Sequence, residues 1–202
     1  MNFANRFARA LVPAAVVVIA APAAAAESPD LARLKAHISA VQTMTADFSQ
    51  TDQKGHVETG TMQLKRPGKV RFQYSGNDPL IVADGKNLIF LDYSVGQKNV
   101  YPLNKTPLGP LLSSSPDFNG KAQVLPSNDP RVVVARARNT SYGQITLAFL
   151  RSPSAPGGLQ MYGWTAIDPQ GHRTTVRLSN VRYNVAVPES AFTYAEPKKR
   201  RD

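Results

Sequence analysis

Few residues of this 202-residue chain have the types and spacing that chemistry requires. The three histidines, His37, His56 and His172, are far apart and lack the spacing of a metal-binding motif. We expect all three to be solvated, with His37 on the polar side of a helix and the others beside glycine turns. Asp47 and Asp52 lie on one predicted strand, and their odd spacing places the two carboxylates on opposite faces. Neither group of residues predicts a reactive centre.

The motifs of several enzyme classes do not occur in the sequence. There is no Gly-x-Ser-x-Gly nucleophile elbow, no His-Glu-x-x-His motif and no phosphate-binding loop. The chain contains no cysteine, which excludes disulfides, thiolate nucleophiles and cysteine-ligated zinc. The lipid-modified cysteine that anchors bacterial lipoproteins is excluded for the same reason. We therefore predict a protein that is not an enzyme and uses no metal and no cofactor.

The first 26 residues predict a cleaved secretory signal peptide. Two arginines precede the apolar run 11–20, and small residues follow at 21–26. A short membrane anchor is the alternative, but a helix needs about 20 apolar residues to span a bilayer. We expect one exported mature domain, residues 27–202.

The composition is strongly basic, with a formal net charge of +10. A basic surface attracts nucleic acid, anionic lipid headgroups or an acidic protein face. Because the signal peptide predicts export, we expect no nucleic-acid partner. The basic tail, residues 198–202, is interpreted as solvated chain rather than as a binding motif.

The pattern of apolar residues predicts which elements carry the fold. Ser28 is suited to cap a helix that begins at Pro29, and apolar residues then recur at helical spacing from Leu31 to Val41. After residue 44 the period changes to two, which predicts short strands separated by glycine and proline turns. The predicted strands are 45–51, 57–66, 70–74, 80–83, 87–93, 97–103, 123–125, 131–138, 144–150, 159–167, 173–181 and 191–194.

Antiparallel strands joined by tight turns curl readily into an open barrel. We therefore predict a mainly β fold with some helix: an open, half antiparallel β-barrel of about eleven strands, covered by short helices. The apolar inner surface of such a sheet could line a hollow, and an ordinary filled core is the alternative. The predicted lining is Met62, Leu64, Val70, Phe72, Tyr74, Leu88, Phe90, Leu147, Phe149 and Trp164. The facing direction of each strand stays open, because a slip of one residue exchanges the two faces.

Several short stretches follow one another in a characteristic order: Leu31–Leu34, Met44–Gln50, Gly60–Met62, Leu64–Pro67, Leu80–Lys86, Leu88–Tyr93, Thr106–Leu112 and Ala191–Tyr194. Together they resemble the LolA family, the periplasmic carriers of outer-membrane lipoproteins. The chain departs from the family pattern at Val70 and Phe72, where the family often has Phe-x-Trp, and in its short C-terminus.

The resemblance implies a function without chemical catalysis, in which the hollow shelters acyl chains beneath a movable lid. Arg66 corresponds to the arginine of the family's Lys-Arg-Pro motif and would latch that lid by hydrogen bonds. A surface cation at a strand end is the alternative for Arg66. The lid helix would contain Pro107, Leu108, Leu111 and Leu112.

The resemblance also implies partners. These are lipoproteins as cargo, an inner-membrane ABC transporter that releases them, and an outer-membrane acceptor lipoprotein if one exists. We expect a monomer. A carrier or sensor of the same fold for another amphiphile, such as a glycolipid, is the alternative function, and the fold does not separate the two.

Overall fold

The computed structural model describes residues 28–76, 78–106, 108–113, 122–139 and 143–198. The predicted signal peptide, Pro107 of the predicted lid helix, and the tail beyond residue 198 lie outside the described residues.

The first helix, α1 (Pro29–Ala40), begins where the sequence predicts. The Ser28 hydroxyl accepts a hydrogen bond from the Leu31 amide at 3.2 Å, which satisfies one of the free donors at the helix start. At the other end, the chain leaves the helix at Val41 in an extended conformation. Leu34 and Ile38 are buried, so the helix packs through one apolar stripe.

Eleven strands within the described residues form a single antiparallel sheet. The strands are β1 (Thr43–Asp52), β2 (Val57–Lys65), β3 (Lys69–Tyr74), β4 (Leu80–Asp84), β5 (Asn87–Asp92), β6 (Gln97–Pro102), β7 (Ala122–Leu125), β8 (Val132–Asn139), β9 (Gly143–Arg151), β10 (Leu159–Ile167) and β11 (Arg173–Tyr183). Their order is β6-β5-β4-β3-β2-β1-β11-β10-β9-β8-β7, so β1 and β11 meet in the middle and β6 and β7 form the edges. The predicted open antiparallel fold is confirmed.

The sheet is strongly curved. Strands β3 and β10 are separated by four strand spacings, about 19 Å if the sheet were flat. The rings of Phe72 on β3 and Trp164 on β10 nevertheless lie with centroids 5.6 Å apart. The sheet must therefore bend so that its two halves approach each other across an inner face. A second, very short helix, α2 (Gly109–Leu112), packs on this inner face together with α1.

The outer face of β4 and β5 is covered by the C-terminal segment, residues 184–196. This segment contributes Val187 and Phe192 to an apolar cluster with Leu80, Val82, Ile89 and Leu91. The predicted strand 191–194 is wrong, because residues Glu189–Phe192 form a 3-10 helix. Pro188 precedes this helix, and its carbonyl oxygen accepts a hydrogen bond from the Ala191 amide at 3.1 Å. The chain therefore turns at this point and inserts Phe192 into the outer cluster.

Two hairpin turns at one end of the sheet share the pattern Asp-x-x-Gly-His. In each turn the aspartate Oδ1 accepts two amide bonds, and Oδ2 contacts the histidine Nδ1 at 3.1 Å from Asp52 to His56 and 2.8 Å from Asp168 to His172. Asp52 pairs in register with Thr174, so the two turns are neighbours. Both histidines are exposed, as the sequence predicts.

Candidate functional site

The inner face of the sheet encloses a small, almost wholly apolar hollow beneath α1 and α2, which we call the deep hollow. Its volume is about 70 Å³. Seven of the residues predicted as lining form part of its wall: Met62, Leu64, Val70, Phe72, Leu147, Phe149 and Trp164. Leu108, Leu111 and Leu112 close it from above. His37 and Arg66 are the two polar side chains that reach it.

A larger cavity of about 700 Å³, the mouth hollow, opens toward the end of the sheet that carries the Asp-x-x-Gly-His turns. The other three predicted residues, Tyr74, Leu88 and Phe90, line it. Phe90 is 37% exposed and so stands at the rim. The two hollows share Phe72, Leu108, Ile145 and Trp164 as walls, so these four residues lie between them.

All ten predicted residues therefore lie on the inner face. Strand pairing fixes this register, because neighbours in the chain such as Arg71 and Gln73 point outward between Val70, Phe72 and Tyr74. The structure places these side chains but does not test their role, and their contact with a ligand stays a prediction.

An aromatic group divides the inner face near its centre. Phe48 lies edge-to-face with Phe72 and with Tyr74, with ring centroids 5.9 and 5.0 Å apart. Its ring lies over Gly60, where an added Cβ would be 2.6 Å from the Phe48 Cζ. The sequence analysis missed Phe48 as a wall residue, although the alternation of β1 with apolar Met44 and Ala46 was a usable signal.

Tyr74 combines this packing with a polar contact. Its hydroxyl donates to the Gln50 side-chain oxygen at 2.7 Å. Burial raises the pKa of the Tyr74 phenol to about 12, so the hydroxyl stays neutral and keeps its proton as a donor.

The lid is the segment of residues 108–113, which contains α2 and covers the deep hollow. Leu111 and Leu112 are buried against the sheet. At the start of the lid, Gly109 fits only because it has no side chain, since a Cβ there would lie 2.6 Å from the Leu103 carbonyl oxygen. A helix of four residues cannot satisfy its own last carbonyls, so their partners decide how the lid is held.

Arg66, in the turn between β2 and β3, supplies most of those partners. Its Nη1 donates to the carbonyls of Leu111 and Ser113, the latter at 3.1 Å. Its Nε donates to the Val41 carbonyl, where α1 ends, at 2.9 Å. Burial lowers the pKa of the guanidinium to about 10, so the group stays charged at neutral pH. One side chain thus ties the lid to both the β2–β3 hairpin and α1.

The same turn holds the lid a second time through the main chain. The Gly68 amide donates to the Leu112 carbonyl at 2.8 Å. Gly68 has a φ of +75° and a Cβ there would lie 2.8 Å from the Gly85 Cα, so the position strongly favours glycine. Three successive lid carbonyls, those of Leu111, Leu112 and Ser113, are therefore bound from one hairpin turn.

His37 is buried, although the sequence pattern led us to expect a solvated side chain. The residue is 4% exposed, and its ring lies edge-to-face with those of Phe149 and Tyr183. Its Nδ1 donates to the Pro156 carbonyl at 2.8 Å, because a carbonyl can only accept. Burial lowers the pKa of His37, and the nearby charge of Arg66 lowers it further. The prediction was wrong although His37 fits the spacing i, i+3, i+4, i+7 with Leu34, Ile38 and Val41.

The described residues contain no cluster of three or more histidine or acidic side chains that could hold a metal ion. Within the same part of the chain, no helix combines the length and the apolar character that crossing a bilayer requires.

Comparisons with known proteins identify the family of the chain. The model of the family described as "Outer membrane lipoprotein carrier protein LolA" matches residues 39–195. An outer-membrane lipoprotein carrier protein from Chromobacterium violaceum is 31% identical, over 91% of this chain and 92% of its own length. A protein of the same name from Legionella pneumophila is 32% identical, over 82% of this chain and 85% of its own.

Among solved structures, a LolA superfamily protein from Nitrosomonas europaea aligns with a TM-score of 0.45 and 11% identity. The alignment covers 83% of this chain and 99% of that one. The family model alone spans well over half of the sequence, and the two carrier relatives align along most of their length. The chain therefore belongs to the LolA family of outer-membrane lipoprotein carrier proteins.

Proposed function

We propose that this protein is a periplasmic carrier that shelters lipoprotein acyl chains in the hollow beneath its lid and moves them from the inner to the outer membrane. The observation that carries the proposal is an apolar hollow closed by a short lid, which is bound by three hydrogen bonds from one hairpin turn and by the burial of Leu111 and Leu112. Membership of the family supports the same cargo, since the relatives are named as lipoprotein carriers.

The energetic reason for such a carrier is the cost of exposing hydrocarbon. Each CH₂ group buried is worth about 0.8 kcal/mol, so a sixteen-carbon chain left in water costs on the order of 12 kcal/mol. An apolar hollow removes this cost by burial alone, without any reaction. The Met, Leu, Val and Phe side chains of the inner face offer the surface that this task needs.

The size of the deep hollow indicates that the lid must move. Ligand pockets have volumes of about 300–1,000 Å³, and the deep hollow has about 70 Å³. In this closed arrangement the deep hollow is too small for an acyl chain, so the lid must open before a chain can enter it. Movement of Leu108 with the lid would join the deep hollow to the mouth hollow, because Leu108 is a wall of both.

The strength of the latch suits a lid that cargo can displace. Two hydrogen bonds from a charged donor and one from an amide hold the lid, and together they contribute roughly 4–8 kcal/mol. One buried sixteen-carbon chain contributes on the order of 12 kcal/mol. Leu111 and Leu112 also leave the sheet when the lid opens, but they can pack on the bound chain instead. Entry of an acyl chain can therefore open the lid, and loss of the chain allows it to close again.

The proposed function also includes an export route and partners at both membranes. Residues 1–26 would direct export and be removed, and the mature domain would be a periplasmic monomer. An inner-membrane ABC transporter would hand over the lipoproteins, and an outer-membrane acceptor lipoprotein, where the host has one, would receive them. The chain has no cysteine to carry a lipid anchor of its own, which supports the role of a carrier between the two membranes.

Depletion in the native host tests the proposal. After depletion, inner and outer membranes are separated and their lipoproteins and lipids are quantified. We expect outer-membrane lipoproteins to accumulate in the inner membrane. Normal lipoprotein sorting together with an altered glycolipid content would reject the lipoprotein carrier and favour a carrier for another amphiphile. Mass spectrometry of molecules that co-purify with the mature protein identifies the cargo directly.

A further inference from the structure

The hairpin that holds the lid carries two like charges at its last residue pair. Lys65 on β2 is in register with Lys69 on β3, and the turn between them is residues 66–68. Both lysines lie on the outer face, opposite to the lid. Like charges directly opposite each other destabilise a strand pair. This repulsion acts at the end of the hairpin from which Arg66 and Gly68 bind the lid.

A carboxylate of the C-terminal segment lies between these two lysines. The Lys65 Nζ is 2.8 Å from Glu189 Oε1, and the Lys69 Nζ forms a close ion pair with Glu189 Oε2. Each carboxylate oxygen therefore serves one lysine. The bridge replaces one repulsion with two attractions, and it spans the two strands immediately beside the turn. The two lysines hold the pKa of Glu189 down to about 2, so the bridge persists over the whole physiological pH range.

The segment is also held against this hairpin by main-chain contacts. The Lys65 Nζ donates to the Val187 carbonyl at 3.2 Å. Arg71, further along β3, donates to the carbonyls of Ala191 and Thr193, at 3.3 and 3.0 Å. Phe192 is buried between these contacts. Glu189 is therefore presented by an anchored piece of backbone and not by a loose tail.

We propose that Glu189 is a positioning residue for the lid: by bridging Lys65 and Lys69 on the outer face, it holds the β2–β3 turn in the geometry in which Arg66 and Gly68 bind the lid on the inner face. Without the bridge, the two lysines push the strand ends apart and shift both donors relative to the lid carbonyls. The inference rests on the proposed movement of the lid and names the element outside the hollow that controls it.

The only tryptophan of the chain supplies a direct readout. Trp164 is a wall of both hollows, so a brominated acyl chain should quench its fluorescence first on entering the open mouth hollow and further when the lid moves and the chain reaches the deep hollow. The rate compared between variants is that of this second step, which depends on the lid. The probe is 9,10-dibromostearic acid, mixed with the mature protein in a stopped-flow instrument. We expect Glu189→Gln to raise the rate of quenching by about two- to fivefold, the range that one exposed ion-pair bridge can account for.

The same segment offers a matched control. Glu196 pairs with Lys98 on β6 at 2.5 Å, far from the β2–β3 turn along the sheet. Glu196→Gln removes an equivalent charge from the segment and should leave the quenching rate unchanged. In a Lys65→Met, Lys69→Met background, where no repulsion needs relief, Glu189→Gln should have no further effect.

The possible results distinguish a failure of the role inferred for Glu189 from a failure of the proposed lid. Equal rates for Glu189→Gln and Glu196→Gln would overturn the role of Glu189, as would the same increase in the background that lacks both lysines. If Arg66→Leu speeds quenching but Glu189→Gln does not, the proposed lid is supported and only the positioning role of Glu189 is rejected. If Arg66→Leu also quenches at the wild-type rate, the lid itself is rejected.

Discussion

At the scale of single residues, Arg66 shows how a buried charge can hold a part that has to move. Its described partners are main-chain carbonyls rather than a carboxylate. A buried ion pair costs several kcal/mol when one partner is withdrawn, whereas a lid carbonyl that leaves can bond to water. The sequence predicted Arg66 only through its resemblance to a family motif. It could not predict the Val41 and Gly68 contacts, which depend on how two distant segments meet.

Arg66→Leu should loosen the lid without unfolding the protein. It removes both side-chain bonds to the lid and leaves the Gly68 amide bond, so the closed form should lose roughly 3–6 kcal/mol. Hydrogen exchange of the amides in residues 111–113 should become much faster, loading should become faster because the closed form is destabilised, and release of cargo should be impaired. Arg131→Leu is the control, because the Arg131 side chain is 83% exposed and pairs with nearby Asp129, far from the lid in sequence. Unchanged exchange in Arg66→Leu would contradict the latch.

His37 should make the stability of the protein depend on pH. Its pKa is lowered in the folded protein and is about 6.5 in the unfolded chain. The unfolded chain therefore binds the proton more readily, so the free energy of unfolding falls as the pH drops below 6.5, by at most about 1.4 kcal/mol per pH unit.

Urea unfolding at pH 7.0, 6.0 and 5.0 measures this loss. His37→Gln should lose less stability than the wild type over the same range, because the titrating group is gone. A pH dependence that is the same with and without His37 would refute the assignment.

At the scale of elements, the alternation of apolar and polar residues was sufficient to predict a strand where one face of that strand is buried and the other is exposed. The alternation of Val70, Phe72 and Tyr74 with polar residues gave both the strand and its inner face. It failed at residues 191–194, whose apolar side chains fit the same pattern but fill an outer cluster from a 3-10 helix. A period of two in four residues does not distinguish a strand from a short segment that is anchored by tertiary packing.

Gly60→Ala should disturb the aromatic group in the middle of β2. A Cβ at residue 60 would lie 2.6 Å from Phe48 and 2.2 Å from the Gln73 carbonyl oxygen, so the ring and the neighbouring strand must shift. We expect a loss of about 1–3 kcal/mol in urea unfolding and a changed emission of Trp164 through Phe72. Thr61→Ala, at an exposed position of the same strand, should change neither. Wild-type stability and emission in Gly60→Ala would show that the Phe48 ring does not need this gap.

At the scale of the whole molecule, the sequence predicted the architecture but not the state of the hollow. Eleven antiparallel strands around an apolar inner face followed from alternation and turns. Whether that face is filled or hollow depends on how far the sheet curls and where Phe48, Trp164 and the lid leucines come to rest. Such contacts join positions that are distant in sequence, as Phe72 and Trp164 are, and no local pattern records them.

Affinity for fatty acids should rise with chain length if the hollow takes hydrocarbon. Each added CH₂ that is buried contributes about 0.8 kcal/mol, roughly a fourfold decrease in Kd. A series from octanoate to stearate, titrated against the thermal midpoint of the mature protein, measures this slope. The series should level off once the combined hollows are full. A slope near zero, with equal shifts for octanoate and stearate, would show that the ligands bind to the surface.

The pairing of β1 with β11 has a consequence for the time that folding takes. Met44 lies beside Tyr183, so the central pair of strands joins the beginning of the described chain to its end. Contacts this remote in sequence slow folding, to milliseconds or seconds for β proteins. Until β1 and β11 pair with each other, each presents one unpaired edge to any neighbouring polypeptide. A chain exported with its N-terminus first would expose β1 for as long as β11 has yet to emerge, which makes this interval the time of greatest risk of aggregation.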